Sequence, residues 1–360
     1  MENVHNWLAL ASVGLNGQRY RQLSEHISLA ELVALPASTL QQIGFTQRQA
    51  QQLCYESGRW IEQALQWQAE AADQHIISFE HPFYPPLLKE TRQPPLVLFV
   101  KGHPELLCQS QIAMVGSRTP SATGRKVARQ LAAELTQSGI LVTSGMAQGI
   151  DSECHRGALQ ARGNTIAVLG HGLRQIYPSS NKPLAADIVQ SGALVSEYFP
   201  NVRARAEFFP QRNRIVVGLS IGTVVVEAAL KSGSLISAQL AVDYNREVFA
   251  IPGGFYNPQA AGCHYLIQQG AKLVTCLADI LEERALFVDN GLIVQSEKNT
   301  VLDLCSQQLL DNLEEEPVPA DALAERLGIT VTDVSITLLQ LELAGRVAVV
   351  PGGYIRVRST

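Results

Sequence analysis

Two arginines that follow a proline near a predicted helix start could bind an anion. The segment is Phe209-Pro210-Gln211-Arg212-Asn213-Arg214, in which Pro210 and Asn213 suit a first helical turn or the residues just before it. Cations at a helix N-terminus oppose the helix dipole, at roughly a few tenths of a kcal/mol each. Guanidinium groups and helix N–H groups both bind phosphate, which would offset that cost. The alternative is that both arginines pair with carboxylates; we favour the anion site.

Small and cationic residues also follow other apolar runs of the chain. Gly116-Ser117-Arg118 ends one run, Ser144-Gly145 ends a second, and Asn181 and Lys182 come after a third. After Val226-Glu227 we predict a short helix that leads to the turn Lys231-Ser232-Gly233-Ser234. Glycine allows close backbone approach, amides and hydroxyls donate hydrogen bonds, and arginine binds phosphate through two N–H groups. These residue types predict an anion-binding surface.

The usual nucleotide-binding and metal-binding signatures are missing. The chain has neither Gly-x-x-x-x-Gly-Lys-Ser/Thr nor a Gly-x-Gly-x-x-Gly that opens the first helix of the core. Its six cysteines form no Cys-x-x-Cys pair, which argues against zinc and disulfides and fits a reducing cytosol. We therefore predict no metal and no cofactor.

Asp151 and His155 stand four residues apart on a predicted helix and could be an acid–base pair. No nucleophile accompanies them in the sequence. We interpret Asp151 as the N-cap of the helix and His155 as a hydrogen-bonded structural histidine. No catalytic residue is predicted.

The elements that position these residues are apolar strands that alternate with helical segments. The strands are predicted at 112–115, 140–143, 165–169, 193–196, 224–227 and 248–251. Continuous apolar strands of this kind indicate a parallel sheet with helices on both faces, the α/β class. Ligands of such sheets bind beyond the carboxyl ends of the strands, where the residues described above collect.

Two smaller units flank this core, which we place at residues 76–286. Residues 1–70 are predicted to form short helices with a packing or protein-contact role, although small helical modules sometimes bind DNA backbones. Residues 301–360 are predicted as three helices (306–314, 320–327 and 331–344) and a hairpin near Pro351-Gly352-Gly353, a winged-helix pattern. Nine acidic and four basic residues give that unit a charge of −5, the same as the whole chain. We therefore predict that it contacts protein rather than DNA.

Length and composition agree with a protein of two or three domains in the cytoplasm. The chain has 360 residues, of which 46% are hydrophobic and 17% are charged. Neither a basic leader segment nor an apolar run long enough for a membrane span is evident, so no membrane association is expected.

Together the segments at the strand ends resemble the DNA-processing protein A family (DprA, also called Smf). The resemblance covers about residues 80 to 281. The matching runs are Val115-Gly116-Ser117-Arg118, Ser144-Gly145-Met146-Ala147-Gln148-Gly149-Ile150-Asp151, Tyr177-Pro178 with Asn181, Ser196-Glu197, Phe209-Pro210 with Arg212-Asn213-Arg214, Ser232-Gly233-Ser234-Leu235 and Gly270-Ala271.

The resemblance implies an extended Rossmann-like parallel sheet core that binds single-stranded DNA, protects it and loads RecA recombinase onto it in natural transformation. It also implies a homodimer, with single-strand-binding protein as a further candidate partner. By motif, Arg118, Arg212 and Arg214 would hold backbone phosphates. The loop where relatives touch DNA carries Arg203 and Arg205 here, and Phe199, Phe208 or Phe209 are candidates for stacking on a base.

Two departures and two competing functions remain. Many relatives have basic residues where this chain has Gln148 and Ser179, although Lys182 lies close to the latter. A nucleotide phosphoribohydrolase on a related Rossmann core would place a catalytic glutamate after Pro-Gly-Gly-x-Gly-Thr. Here Pro252-Gly253-Gly254 is followed by Phe255-Tyr256, which disfavours that enzyme. A transcription regulator that acts through the winged helix is disfavoured by the acidic charge of residues 301–360.

Overall fold

The computed structural model describes residues 4–289, 309, 312–313, 317–327, 330–343, 346–350 and 352–356. Contacts divide the chain into two compact units, Met1–Leu286 and Phe287–Thr360. Within the described residues, no helix combines the length and the apolar character that crossing a membrane requires.

The first unit begins with six short helices, as predicted. Ser28 and Thr46 each form a capping box at the start of a helix, which satisfies N–H groups that have no partner inside the helix. A π-helical turn, Gln52–Glu56, joins the fifth helix to the sixth. The helices are α1 (Val4–Ser12), α2 (Gly17–Ser24), α3 (Leu29–Ala34), α4 (Ala37–Gln42), α5 (Gln47–Gln51) and α6 (Ser57–Ala69).

A nine-stranded sheet forms the centre of the first unit. The spatial order is β1-β2-β6-β5-β4-β3-β7-β8-β9. The last seven strands in this order, which begin with β6, are parallel to one another. The strands are β1 (Gln74–Ser78), β2 (Val97–Gly102), β3 (Gln111–Val115), β4 (Leu141–Ser144), β5 (Thr165–Val168), β6 (Ala193–Ser196), β7 (Gly222–Val225), β8 (Glu247–Ala250) and β9 (Lys272–Leu273). All six predicted parallel strands are confirmed, whereas β1, β2 and β9 were not predicted. Strand β2 is antiparallel to both of its neighbours, β1 and β6.

Eight helices connect or follow these strands, and one predicted helix is absent. Residues 226–233 form turns and irregular backbone, so the helix expected before Lys231 is wrong. The helices are α7 (Pro86–Lys89), α8 (Ala122–Gln137), α9 (Ile150–Gln160), α10 (Lys182–Ser191), α11 (Phe208–Gly218), α12 (Ser234–Asp243), α13 (Ala261–Gln268) and α14 (Ala278–Asp289).

The N-terminal helices pack directly against the sheet of the same unit. Trp67 of α6 lies with its ring centre 5.8 Å from that of Phe99 in β2. About two turns earlier in α6, the ring centre of Trp60 lies 5.1 Å from that of Phe199, which follows β6. Both contacts are edge-to-face, the arrangement that aromatic pairs prefer. The helical module is thus held in a fixed position beside the sheet.

The second unit contains helices α15 (Ala320–Leu327) and α16 (Val331–Leu343) and an antiparallel hairpin of β10 (Val347–Val350) and β11 (Gly353–Arg356). Leu323, Leu338 and Val347 are among the residues of its small core. The predicted winged-helix pattern is confirmed for these elements. Most of the helix predicted at 306–314 lies outside the described residues.

Candidate nucleic-acid interface

The carboxyl ends of the parallel strands meet at one edge of the sheet, and two adjoining cavities open there. Strand order reverses between β3 and β7, the position at which α/β sheets usually bind ligands. The cavities measure about 290 and about 720 Å³ and share Arg118, Ala147, Phe209, Pro210 and Arg212. We call the two together the sheet-edge groove. It is lined by ten residues of the predicted site: Gly116, Arg118, Gly145, Arg203, Arg205, Arg212, Asn213, Ser232, Gly233 and Ser234.

Arg118 is an exposed cation that follows β3 and lies beside two aromatic rings. It forms no ion pair with any residue that the structure describes. Its guanidinium carbon lies 5.8 Å from the centre of the Phe209 ring, and the Tyr177 ring lies 5.6 Å from the same ring. Tyr177 is 56% exposed. A cation next to one exposed and one half-buried ring is a combination that can bind single strands without base preference.

The turn before α12 forms the opposite wall of the smaller cavity. The helix begins at Ser234, and the Ser232 hydroxyl accepts a hydrogen bond of 3.2 Å from the Ser234 N–H. Ser237, one turn into the helix, also lines this cavity. Its buried hydroxyl has no hydrogen-bond partner among the described residues. A cavity lined by a helix N-terminus, an unused hydroxyl donor and Arg118 suits an anionic group.

Arg212 lies in the floor of the groove and is almost completely buried. Its guanidinium donates to the carbonyl of Val168, and Nε donates to Asn213 Oδ1 at 3.3 Å. Burial lowers the pKa of Arg212, and the nearby Asp151 carboxylate partly offsets this effect. Burial likewise raises the pKa of Asp151, against the attraction of Arg212. A Cβ atom at Gly145 would overlap both side chains, so a larger residue there would displace the Arg212 guanidinium and the Asp151 carboxylate.

Arg214 does not line the groove, because its side chain points to another part of the molecule. It forms an ion pair with Glu197, and both side chains are less than one-fifth exposed. For Arg214 the structure therefore agrees with the alternative interpretation, in which the arginine pairs with a carboxylate. Helix α11 begins at Phe208, so the two arginines are its fifth and seventh residues. Their predicted position in the first turn, with its dipole cost, is wrong.

Five further residues of the predicted site lie outside the groove lining: Ser117, Ser144, Asn181, Lys182 and Lys231. The buried Asn181 amide donates to the Met146 carbonyl at 2.9 Å, and Ser144 donates to the Met114 carbonyl at 2.6 Å. These contacts hold the loops that form the groove. Lys182 and Lys231 are exposed.

His155 is a structural histidine, as predicted. It is fully buried, with Nε2 2.6 Å from the Gly145 carbonyl and Nδ1 2.8 Å from Thr165 Oγ1. Burial lowers its pKa to about 4. The N-cap prediction for Asp151 is wrong, because Gly149 caps α9 and Asp151 is the second residue of that helix.

The three phenylalanines considered for stacking have different surroundings. Phe199 is buried between Trp60 and Phe99, and Phe208 stacks on Tyr198 with ring centres 4.3 Å apart. Phe209 lines both cavities. Tyr177 was not among the predicted site residues, although the Tyr-Pro motif was a signal for it.

Glu227, the glutamate nearest to a phosphoribohydrolase motif, serves the backbone around it. Its Oε2 accepts a 2.8 Å hydrogen bond from the Ser121 N–H, and Oε1 accepts a 3.0 Å bond from the Asn257 amide. It does not line the sheet-edge groove. In the part of the chain that the structure describes, no cluster of side chains suits a metal ion.

Comparison with known families agrees with this geometry. The model described as DNA recombination-mediator protein A matches residues 75–285, which is more than half of the chain. The chain belongs to the DprA/Smf family. The SMF/DprA SAM domain matches residues 1–66, and the DprA winged helix domain matches residues 296–353. DprA/Smf is a family of DNA-binding recombination mediators rather than a known enzyme family.

Individual DprA/Smf relatives cover most of the chain. Protein Smf of Escherichia coli is 42% identical over 99% of this chain and 97% of its own. DprA of Bacillus subtilis is 43% identical over 58% of this chain and 69% of its own.

Two solved DprA structures are similar to this chain. The X-ray structure of DprA from Streptococcus pneumoniae has a TM-score of 0.68 and 35% identity, and covers 77% of this chain and 97% of its own. DprA from Helicobacter pylori, described with a unique single-stranded DNA binding mode, has a TM-score of 0.52 and 30% identity. It covers 57% of this chain and 94% of its own.

Proposed function

We propose that this protein binds single-stranded DNA, protects incoming DNA and loads RecA recombinase onto it in natural transformation and homologous recombination. The observation that carries the proposal is the exposed Arg118 beside Phe209 and Tyr177 in the sheet-edge groove. The DNA-binding mode described for the Helicobacter pylori relative supports it.

In the proposed complex, phosphates lie against Arg118 and the turn Ser232–Ser234, and a base stacks on Tyr177 or Phe209. Arg203 and Arg205 continue the positive surface at the far end of the groove. Arg212 contributes its charge from beneath, and Lys182 and Lys231 supplement it from outside the lining. Every base has a flat face that can stack, so the binding is sequence-tolerant.

The further partners are also part of the proposal. Single-strand-binding protein is a candidate for exchange on the DNA, and the protein acts as a homodimer. Exposed apolar side chains on α12, α13 and the loop between β8 and α13 support self-association, because large exposed apolar side chains usually mark interaction surfaces. They are Val242, Phe255, Tyr256 and Tyr265. The five free cysteines among the described residues support a cytoplasmic location.

The proposed activity is binding without turnover. Both carboxylate oxygens of Glu227 accept hydrogen bonds from structural donors, which supports this view over a phosphoribohydrolase. Incubation with nucleoside monophosphates, ATP or DNA should yield no product above background. Turnover that Glu227→Ala abolishes would contradict it.

A gel-shift experiment tests the binding proposal. The full chain is titrated against a single strand and against the duplex of the same sequence, at several salt concentrations. We expect tighter binding to the single strand and a linear fall of log affinity with log salt, as phosphate contacts release counterions. Equal affinity for the duplex, or affinity independent of salt, would reject a single-strand phosphate groove.

A further inference from the structure

A third cavity continues the sheet-edge groove onto the N-terminal helices. It measures about 830 Å³ and shares Arg203 and Arg205 with the sheet-edge groove. On its other side lie residues of α6 and of the π-helical turn before it. We call this cavity the helical-domain groove; it is lined by Tyr55, Glu56, Arg59, Trp60, Gln63, Asn201, Val202, Arg203 and Arg205.

The two walls of the helical-domain groove are fixed relative to each other. Trp60 packs edge-to-face on Phe199, two residues before Asn201 in the opposite wall. Farther along α6, Arg174 forms an ion pair with Glu70 at 2.5 Å. The loop backbone is held as well, because the Val202 N–H donates to the Phe199 carbonyl at 2.9 Å. The groove is therefore preformed, which reduces the entropy cost of binding a ligand.

The side chains that face this groove have the same chemistry as those of the sheet-edge groove. Tyr55 lies in the π-helical turn and is 80% exposed, which is unusual for an aromatic residue without a partner. Arg59 is exposed and forms no ion pair with a described residue. Glu56 also lines the groove and lowers its net positive charge, and Arg205 forms an ion pair with Glu207 at 4.0 Å. Arg59 and Arg203 are the lining cations that form no ion pair with a described residue. Turns of the π type often occur at functional sites.

We propose that single-stranded DNA continues from the sheet-edge groove across Arg203 and Arg205 onto the N-terminal helices. A base stacks on Tyr55, and Arg59 binds a backbone phosphate. The inference rests on the proposed function, since it extends the same DNA path. A nucleic acid is favoured over a protein partner because the two grooves share two arginines, and because each places an exposed tyrosine near an exposed arginine that forms no ion pair with a described residue. These are Tyr177 with Arg118 and Tyr55 with Arg59.

The length of the bound strand provides the test. The affinity of the full chain is measured by fluorescence anisotropy for oligothymidylates of increasing length, with wild type and with Tyr55→Ala/Arg59→Ala. We expect equal affinity for the shortest strands that bind. Strands long enough to reach Tyr55 should bind the variant about fivefold or more weakly, the loss expected for one stacked base. The salt dependence for long strands should also fall by about 0.7 in log–log slope, for one lost phosphate contact.

Three controls separate the possible results. Arg48→Ala removes an exposed arginine of the same helical module that lines neither groove, and it should match wild type at every length. Tyr55→Phe keeps the ring and should retain the affinity for long strands.

Arg118→Ala should weaken binding at all lengths. If Arg118→Ala has that effect while Tyr55→Ala/Arg59→Ala matches wild type throughout, the extended path is rejected and the sheet-edge groove remains. If Arg118→Ala has no effect either, the proposed function fails as well.

Discussion

At the scale of single residues, the arginines near the groove fall into two kinds. Arg118 is exposed and has no carboxylate partner among the described residues, so its guanidinium can bind phosphate without breaking an existing contact. Arg212 and Arg214 are instead held by the fold, through the Val168 carbonyl and through Glu197. Removing the first kind should affect ligand binding, whereas removing the second kind should affect folding.

Arg118→Ala should weaken binding to every single-stranded sequence alike, by about 1–3 kcal/mol for one charge-assisted hydrogen bond. The log–log salt slope should decrease by about 0.7. The thermal melting temperature should remain that of wild type, because the side chain is exposed. Titrations at three salt concentrations, with Arg48→Ala as the charge-matched control, measure these effects. Normal binding with an unchanged slope would place the phosphate contacts elsewhere.

His155 should make the protein less stable as the pH falls. Its pKa is about 4 in the folded protein and about 6.5 in the unfolded chain, so the unfolded chain takes up the proton first. The stabilisation is complete above the unfolded pKa and is lost as the pH falls toward 4, at about 1.4 kcal/mol per pH unit.

The free energy of unfolding in urea at about pH 7.5 and about pH 5 measures this effect as a difference between wild type and His155→Gln. Wild type should lose about 2 kcal/mol more than the variant over this interval. Using the difference matters, because the raised pKa of Asp151 has the opposite effect in both proteins. Equal losses in the two proteins would show that His155 is not held neutral.

At the scale of elements, helix α11 explains why two neighbouring arginines have different roles. Residues two apart on a helix point about 200° apart, so Arg212 and Arg214 face nearly opposite directions. Phe209 and Arg212 are three residues apart within α11, so they lie on the same face of the helix, and this face lines the groove. Arg214 points toward Glu197, just after β6. One helix thus connects the floor of the groove to the neighbouring strand end.

Arg214→Ala should destabilise the protein and leave the groove intact. It removes one partner of an ion pair that is largely buried, and burial already raises the pKa of Glu197. We expect a loss of about 2 kcal/mol, less than for a fully buried pair because both side chains keep some contact with water. Urea unfolding measures the loss, and single-strand affinity measured where the variant is folded should stay within a few-fold of wild type. A stable variant that cannot bind DNA would show that Arg214 is a DNA-binding residue.

The sequence predicted the parallel core well and the edges of the sheet poorly. Strands such as β3 and β5 are continuous apolar runs, because both of their faces are buried. By contrast, β1 begins with Gln74 and His75, and β9 has only two residues, so neither has a strong periodic signal. Gly116, Arg118 and Gly145 were predicted from strand ends, Arg212 and Asn213 from the predicted helix start, and Arg203 and Arg205 from the family resemblance. The direction of the Arg214 side chain depends on where α11 begins, and that of the Asn181 side chain depends on how the loops pack. The sequence pattern specifies neither.

At the scale of the whole molecule, charge distinguishes the C-terminal 60 residues from the rest of the chain. Residues 301–360 carry −5, and residues 1–300 are neutral overall, so the cations of the groove are a local concentration. In the sequence, α16 contains no lysine or arginine. A winged helix that reads DNA through such a helix would repel the phosphates.

Removal of residues 301–360 should therefore leave single-strand affinity within a few-fold of the full chain. The groove residues lie in the first compact unit, which has its own sheet and core. Anisotropy titrations of both proteins measure this, with light scattering and thermal melting as controls for assembly and folding. A large loss of affinity in a shortened protein that is still folded and assembled would assign a DNA contact to the winged helix.

The shortness of β9 has a consequence for molecules that crowd together. An open edge strand invites the backbone of a neighbouring molecule to pair with it, which leads to aggregation. Here the nine-stranded sheet ends on one side with two residues, and Lys272 of that strand is held by Glu282 and Glu283 at 3.0 and 2.8 Å. So short a ladder, bearing a charged side chain, provides little template for a tenth strand. In the proposed complex, copies packed along one DNA strand would then not fuse into a fibre through this edge of the sheet.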